Sequence, residues 1–230
     1  MNTIGVATAR VTFWFDFISP YSYLALSQAE AFAAEHGVRW IVRPIFYAAV
    51  LDATGRTGPA EIPIQRAYTL RDILRAAELL GVPLLGPPTH PFRSLLPLRV
   101  NALVQDEPNA LALAVALSRA GWGERRNLED PEVVAEVATG VGFDADELVA
   151  GAAGDDAKAR LRHNTDEALA GGVCGVPTFG WEGELFWGHD RMSHLAARLA
   201  GRIGSPEPRA AALDRMPRGA DRPRSPFPRA

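Results

Sequence analysis

Ser19 stands where a hydroxyl can act on an anion. In the run Phe13-Trp-Phe-Asp-Phe-Ile-Ser-Pro-Tyr-Ser-Tyr-Leu-Ala-Leu26 it separates an aromatic, β-branched stretch from a helical pattern that opens with Pro20. Serine is a preferred helix N-cap, and proline at the first helical position loses no hydrogen bond. A hydroxyl there faces unpaired backbone N–H groups at the positive end of the helix, a ready site for a thiolate, carboxylate or phosphate. Simple capping is the other reading, and these residues alone leave both open.

The remaining reactive side chains narrow the chemistry. Cys174 is the single cysteine, so an internal disulfide and a two-cysteine redox motif are both excluded. A lone cysteine is read as packing. His189 and His194 are five residues apart and do not share a helix face, and no H-E-x-x-H occurs, so a metal centre is not expected. Asp190 follows His189 at the start of a helical pattern and is expected to cap it.

The elements that must position these groups follow from hydropathy and capping. Val11 to Phe17 reads as a covered strand. The helix after Ser19 carries Tyr21, Leu24, Ala25, Ala29 and Phe32 at helical spacing and stops at His36-Gly37. Val38 to Ile45 is a second strand, which makes a βαβ unit with a parallel pair. Phe46 to Pro63 reads as loop. Helices are then expected over Gln65–Leu80, with Ala67, Leu70, Ile73, Leu74 and Ala77 on its inner face, and over Leu95–Val104, Asn109–Arg119, Pro131–Thr139, Ala145–Gly151 and Asp156–Leu169. Asp130 and Asp144 supply start signals. Strand character returns only at Pro177–Gly180 and Glu184–Trp187, a hairpin around Gly183, before a last helix over Asp190–Ala200. Sheet-forming pieces at both ends enclose roughly 125 helical residues, too long an interval for a loop.

This pattern predicts an α/β domain formed by residues 10–45 and 172–202, with a helical domain, 46–171, inserted into it. Residues 1–9 and 206–230 read as disordered tails; the second carries six arginines against three acids and six prolines. With 47% hydrophobic and 22% charged residues and a net charge of −3, the chain has a globular composition and no basic surplus for nucleic acid. The absence of a membrane-length apolar run or a signal-peptide pattern leads to an expected cytoplasmic location.

Three motifs carry a resemblance over about Val11 to Leu199. Ser19-Pro-Tyr-Ser22 lies at the strand-to-helix turn, Gly175-Val-Pro-Thr-Phe179 opens the third strand, and Gly183-Glu-Leu-Phe-Trp-Gly-His-Asp-Arg191 closes the sheet. Together with Asn164-Thr-Asp-Glu-Ala168, His90-Pro-Phe92 and Leu98-Arg99, the chain resembles the 2-hydroxychromene-2-carboxylate isomerase family. That family has a DsbA-like thioredoxin fold with a large helical insertion and is related to the kappa-class glutathione transferases. The resemblance implies glutathione as cofactor, Ser19 beside its sulfur as the catalytic residue, and a cis Val176–Pro177 bond presenting Val176 to the peptide. It also implies Asp190 and His189 at the γ-glutamyl end, and a homodimer.

The implied reaction is thiolate addition to a chromene carboxylate, ring opening, rotation and thiol elimination. Conjugation, as in kappa-class transferases, and a non-catalytic binding protein are the alternatives. The chain departs from the family pattern in Leu51-Asp-Ala-Thr-Gly-Arg56, where Asp52 replaces a common lysine and Arg56 a common asparagine, and in Arg93-Ser94 after His90-Pro-Phe92. These departures imply either that the cation for an anionic substrate has moved to Arg56 or Arg93 or that the substrate differs, with Tyr21 as a further substrate contact.

Overall fold

A computed structural model describes residues 8–217 and 219, and expectations for the rest of the two tails lie outside these. The first strand, β1 (Ala9–Phe15), leads into α1 (Pro20–His36), and α1 into β2 (Val38–Pro44). Ser19 caps α1, its Oγ accepting from the Ser22 N–H at 3.3 Å, and Gly37 ends the helix in the left-handed conformation (φ 64°) that glycine adopts without cost. The insertion comprises α2 (Tyr47–Ala53), α3 (Pro63–Leu80), α4 (Leu95–Leu103), α5 (Ala110–Ser118), α6 (Pro131–Gly140), α7 (Ala145–Gly151) and α8 (Asp155–Ala170). Strands β3 (Thr178–Trp181) and β4 (Glu184–Trp187) and helices α9 (Met192–Leu199) and α10 (Glu207–Asp214) follow.

The sheet order is β2-β1-β3-β4. β1 pairs with β2 in parallel and with β3 antiparallel, so Phe13 lies beside Val42 on one side and Phe179 on the other. Glu182 and Gly183, with φ of 48° and 80°, form the two-residue turn between β3 and β4 that strand twist favours. Alternation along β1 sends Val11, Phe13 and Phe15 to one face, where they join Ala25 and Phe32 of α1 and Leu98, Leu113 and Leu117 of the insertion. Trp14 points to the other face and packs with Ile45, Val50, Ala168 and Val176. Both faces are covered, which is why Phe13, Trp14 and Phe15 of β1 are consecutive apolar residues.

Several expectations need correction. Tyr47–Ala53 is helical rather than loop, because Tyr-Ala-Ala-Val-Leu-Asp-Ala holds no breaker before Gly55. On α3 only Ile73 and Ala77 of the expected inner face are buried; Ala67, Leu70 and Leu74 are exposed. Asp190 does not cap α9: His189–Arg191 forms a separate 3₁₀ turn, and α9 begins at Met192 without a side-chain cap. Glu207–Asp214 is helical although it falls in the segment read as disordered. Its proline sits in the first turn, where no N–H is needed, and Ala210–Ala212 favour helix. The caps at Asp130 and Asp144 form as expected, onto Glu132 N–H (2.9 Å) and Glu147 N–H (3.1 Å). Among the described residues no helix is long and apolar enough to cross a membrane.

The turn between β1 and α1 is held from outside. Asp16, 1% exposed, accepts from Ile18 N–H (3.0 Å) through one carboxylate oxygen and from Tyr47 N–H (2.9 Å) through the other. Its carbonyl accepts from Ser19 N–H at 3.1 Å. The Phe17 carbonyl accepts from the indole of Trp122 (2.8 Å), and the Ile18 carbonyl is 3.0 Å from His90 Nε2. Burial raises the Asp16 pKa to about 6, against the opposing pull of its hydrogen bonds.

The folded chain therefore keeps the Asp16 proton up to about pH 6, whereas the unfolded chain releases it near 3.8. Between these values unfolding sheds a proton, so stability falls as pH rises. Urea unfolding at intervals from pH 4 to 7 should show this group contributing a decline of about 3 kcal/mol, at 1.36 kcal/mol per pKa unit. In Asp16→Asn that portion of the slope should vanish; an identical slope in both proteins would contradict the assignment.

Candidate active site

A cavity of about 960 Å³ opens where the N-terminus of α1, the approach to β3, the His189–Arg191 turn and α3 meet. Ser19, Tyr21, Val176, His189 and Asp190 all line it, so five of the expected site residues share one space. Pro177 lies behind that wall: its carbonyl accepts from Gly188 N–H at 2.9 Å, which ties the start of β3 to the turn bearing His189 and Asp190. The Val176–Pro177 bond is cis.

Ser19 is 8% exposed and fully engaged. Its Oγ accepts from Ser22 N–H and donates to the Val176 carbonyl at 3.4 Å, a long bond that a charged acceptor could outcompete. In the first turn of α1, Pro20 has no N–H, and the Ser22 and Tyr23 N–H groups are taken by Ser19 Oγ and Ser19 O. Among the described residues, this leaves the Tyr21 N–H for an anion at the helix end. Val176 precedes β3 and stands outside its ladder; its carbonyl accepts from Ser19 Oγ, and among the described residues its N–H has no hydrogen-bond acceptor.

Tyr21 ties the cavity floor to α3. Its hydroxyl donates to Asp72 at 2.7 Å, and its ring stacks on that of His189 at 5.3 Å. Burial first, and then Asp72, push the phenol well above its ordinary range, so Tyr21 stays protonated. Burial lowers the His189 pKa against the pull of Asp190 and Asp72, leaving a largely neutral ring at neutral pH. The exposed Asp190 forms an ion pair with Arg191 at 3.2 Å. Gly188 (φ 116°) is needed there because its backbone conformation excludes most side chains.

The two arginines expected to meet the substrate are not among the residues lining the cavity. Arg56 is exposed at the rim, donating to the Cys174 carbonyl at 2.6 Å and lying 5.2 Å from the Trp187 ring. Arg93 is exposed, its main-chain N–H bound to Glu129 at 3.1 Å, and it does not line the cavity. The cavity's arginines are instead Arg66 and Arg75 of α3. Neither carried a motif, and a single arginine on an amphipathic helix gives no local signal of the space it faces. Asp16 lies three residues before Ser19, and while one of its partners, Ile18, is local, the other, Tyr47, is 31 residues away.

Residues 10–200 match the family model for the DSBA-like thioredoxin domain. The chain is 30% identical over 194 residues to a 2-hydroxychromene-2-carboxylate isomerase of Pseudomonas putida, covering 82% of this chain and 93% of that protein. It is 31% identical over 205 residues to glutathione S-transferase kappa 2 of Caenorhabditis elegans, covering 83% and 91%. A solved structure of a 2-hydroxychromene-2-carboxylate isomerase superimposes with a TM-score of 0.78 at 29% identity, covering 89% of this chain and 98% of that one. The family model and these relatives agree: the chain belongs to the DSBA-like thioredoxin family, in the group that includes the 2-hydroxychromene-2-carboxylate isomerases and kappa-class glutathione transferases.

Proposed function

We propose that the protein is a glutathione-dependent isomerase of 2-hydroxychromene-2-carboxylate or a related aromatic-degradation intermediate. The observation that carries this is the placement of Ser19 Oγ at the N-terminus of α1, 3.4 Å from the Val176 carbonyl and on the same cavity as Asp190. A thiol tripeptide requires a polar cradle for sulfur, a strand-like edge for its backbone and an anion for its amino group. Ser19, Val176 and Asp190 meet those needs in that order, and a cavity of about 960 Å³ accommodates a second, planar molecule beside it. Glutathione, when bound, supplies a thiolate that adds reversibly to a conjugated double bond.

The chain's own residues would then act as follows. Ser19 Oγ, already accepting from Ser22 N–H, turns its proton from the Val176 carbonyl to the sulfur. That charge-assisted bond, with the Tyr21 N–H and the helix dipole, favours thiolate over thiol and moves its pKa from about 8.5 toward neutrality. Asp190 holds the γ-glutamyl ammonium, and the neutral His189 ring donates an N–H to the neighbouring carboxylate. Tyr21, protonated and locked on Asp72, acts as a rigid wall rather than a base.

A second reading, conjugation, is favoured by the kappa-class relative of similar identity. Incubation with a hydroxychromene carboxylate and catalytic glutathione separates them. Turnover with no loss of free thiol is expected, whereas stoichiometric thiol consumption would establish the transferase. In Ser19→Ala, turnover at pH 7 should fall by about 10²-fold, the typical cost of an oxyanion-type donor. The loss should shrink toward pH 9, where free thiol ionises unaided; an equal loss at both pH values would remove Ser19 from that role. Asp190→Ala should weaken glutathione binding, read by isothermal titration, by about 10-fold or more, and unchanged affinity would exclude the proposed amino-group contact.

A further inference from the structure

Of the two arginines that line the cavity, Arg66 is prepared for a carboxylate. Arg66 Nη1 donates to the His90 carbonyl at 3.1 Å and lies 3.2 Å from His90 Nδ1. His90 Nε2 in turn lies 3.0 Å from the Ile18 carbonyl, which can only accept. The ring proton is therefore on Nε2, and Nδ1 is free to accept from the guanidinium. Burial, and secondarily the Arg66 charge, lower the His90 pKa despite the Ile18 bond, in keeping with a neutral ring. Both hydrogens of Nη1 are thus committed to one histidine. The edge formed by Nε and Nη2 is left, and two parallel N–H groups there match the two oxygens of a carboxylate.

The charge on Arg66 is not answered inside the cavity. Its three acids have other partners: Glu61 accepts from Gly58 N–H at 2.8 Å, Asp72 from Tyr21 at 2.7 Å, and Asp190 pairs with Arg191 at 3.2 Å. Arg75 shares the cavity, but it is exposed and has no comparable side-chain anchor among the described residues. Arg66 is half-buried and stands one imidazole away from Ile18, the residue before Ser19. Ile18, Tyr47, Leu51 and Trp122 supply an apolar wall beside it.

We propose that Arg66, held by His90, is the carboxylate anchor of the cavity and selects planar aromatic acids, in place of Arg56 and Arg93. That the acid is the substrate rests on the isomerase reading; the anchor itself does not. Chromone-2-carboxylate and chromone-2-carboxamide, titrated calorimetrically into the protein with saturating glutathione, test it. The wild type should bind the acid about 10-fold or more tightly than the amide, and Arg66→Gln should abolish that preference by weakening the acid about 10–100-fold. Glutathione affinity should be unchanged in the variant. Arg66→Lys, which keeps the charge without the fork, should fall between the two.

Equal binding of acid and amide by the wild type, a preference retained in Arg66→Gln, or a loss confined to glutathione would each overturn the anchor. If Arg66→Gln does not fold, as judged by circular dichroism, the wild-type preference and Arg66→Lys decide the matter, and wild-type affinity in the latter overturns the fork. A wild type that selects the acid through Arg66 yet does not isomerise hydroxychromene carboxylate would support the anchor and reject the isomerase.

Discussion

Asp16 holds together what the rest of the site depends on. A carboxylate that is 1% exposed is costly to bury, and this one is tolerated because two backbone N–H groups meet its two oxygens. One of those groups, on Ile18, belongs to the turn that carries Ser19; the other, on Tyr47, starts the insertion. Trp122 and His90 then satisfy the Phe17 and Ile18 carbonyls from the insertion's far side. A strand-to-helix turn exposes more backbone polar groups than it can pair internally. Here the helical insertion supplies the missing partners, so it completes the turn that positions the Ser19 hydroxyl as well as lining the cavity.

The electrostatics of the cavity are divided rather than cumulative. Along one wall Asp72, Tyr21, His189 and Asp190 form a connected set with a net acidic character, suited to an ammonium. On another, His90 hands the guanidinium of Arg66 to the cavity without sharing its charge. Between them lies the helix end at Ser19, whose partial positive charge favours an anion. A molecule with an amine, a thiol and a carboxylate, and an acid beside it, would each find a complementary wall. Like charges need not crowd.

Much of this was legible in the sequence where the signal is local. Gly37, Asp130 and Asp144 mark helix ends because each acts on N–H or C=O groups within a few residues. Ser19, Val176, His189 and Asp190 were recognisable because they sit in contiguous motifs around the sheet. What was not legible depends on remote partners. The apolar residues of α3 mark a face, but whether that face meets protein or solvent depends on how little of the helix packs down. Asp190 reads as a cap, but the β3–β4 pairing runs on to the Gly188 N–H and Pro177 carbonyl, and a separate 3₁₀ turn, His189–Arg191, follows before α9. Arg66 has no local mark at all; its role follows from His90, 24 residues away.

The bond from Ser19 to Val176 spans 157 residues, and β1 waits as long for β3. During synthesis β1 can pair with β2 almost at once, since only α1 separates them. Its other edge, lined by Phe13 and Trp14, has no partner until nearly the whole insertion has been made. That edge is a site for mispairing with other chains, and contacts this distant in sequence form slowly. Helices packing early on α1 would shield the faces of β1 but not its edge. The same late-arriving strand brings both protection from aggregation and the second wall of the cavity, so a nascent chain that remains vulnerable is also one that is not yet able to bind.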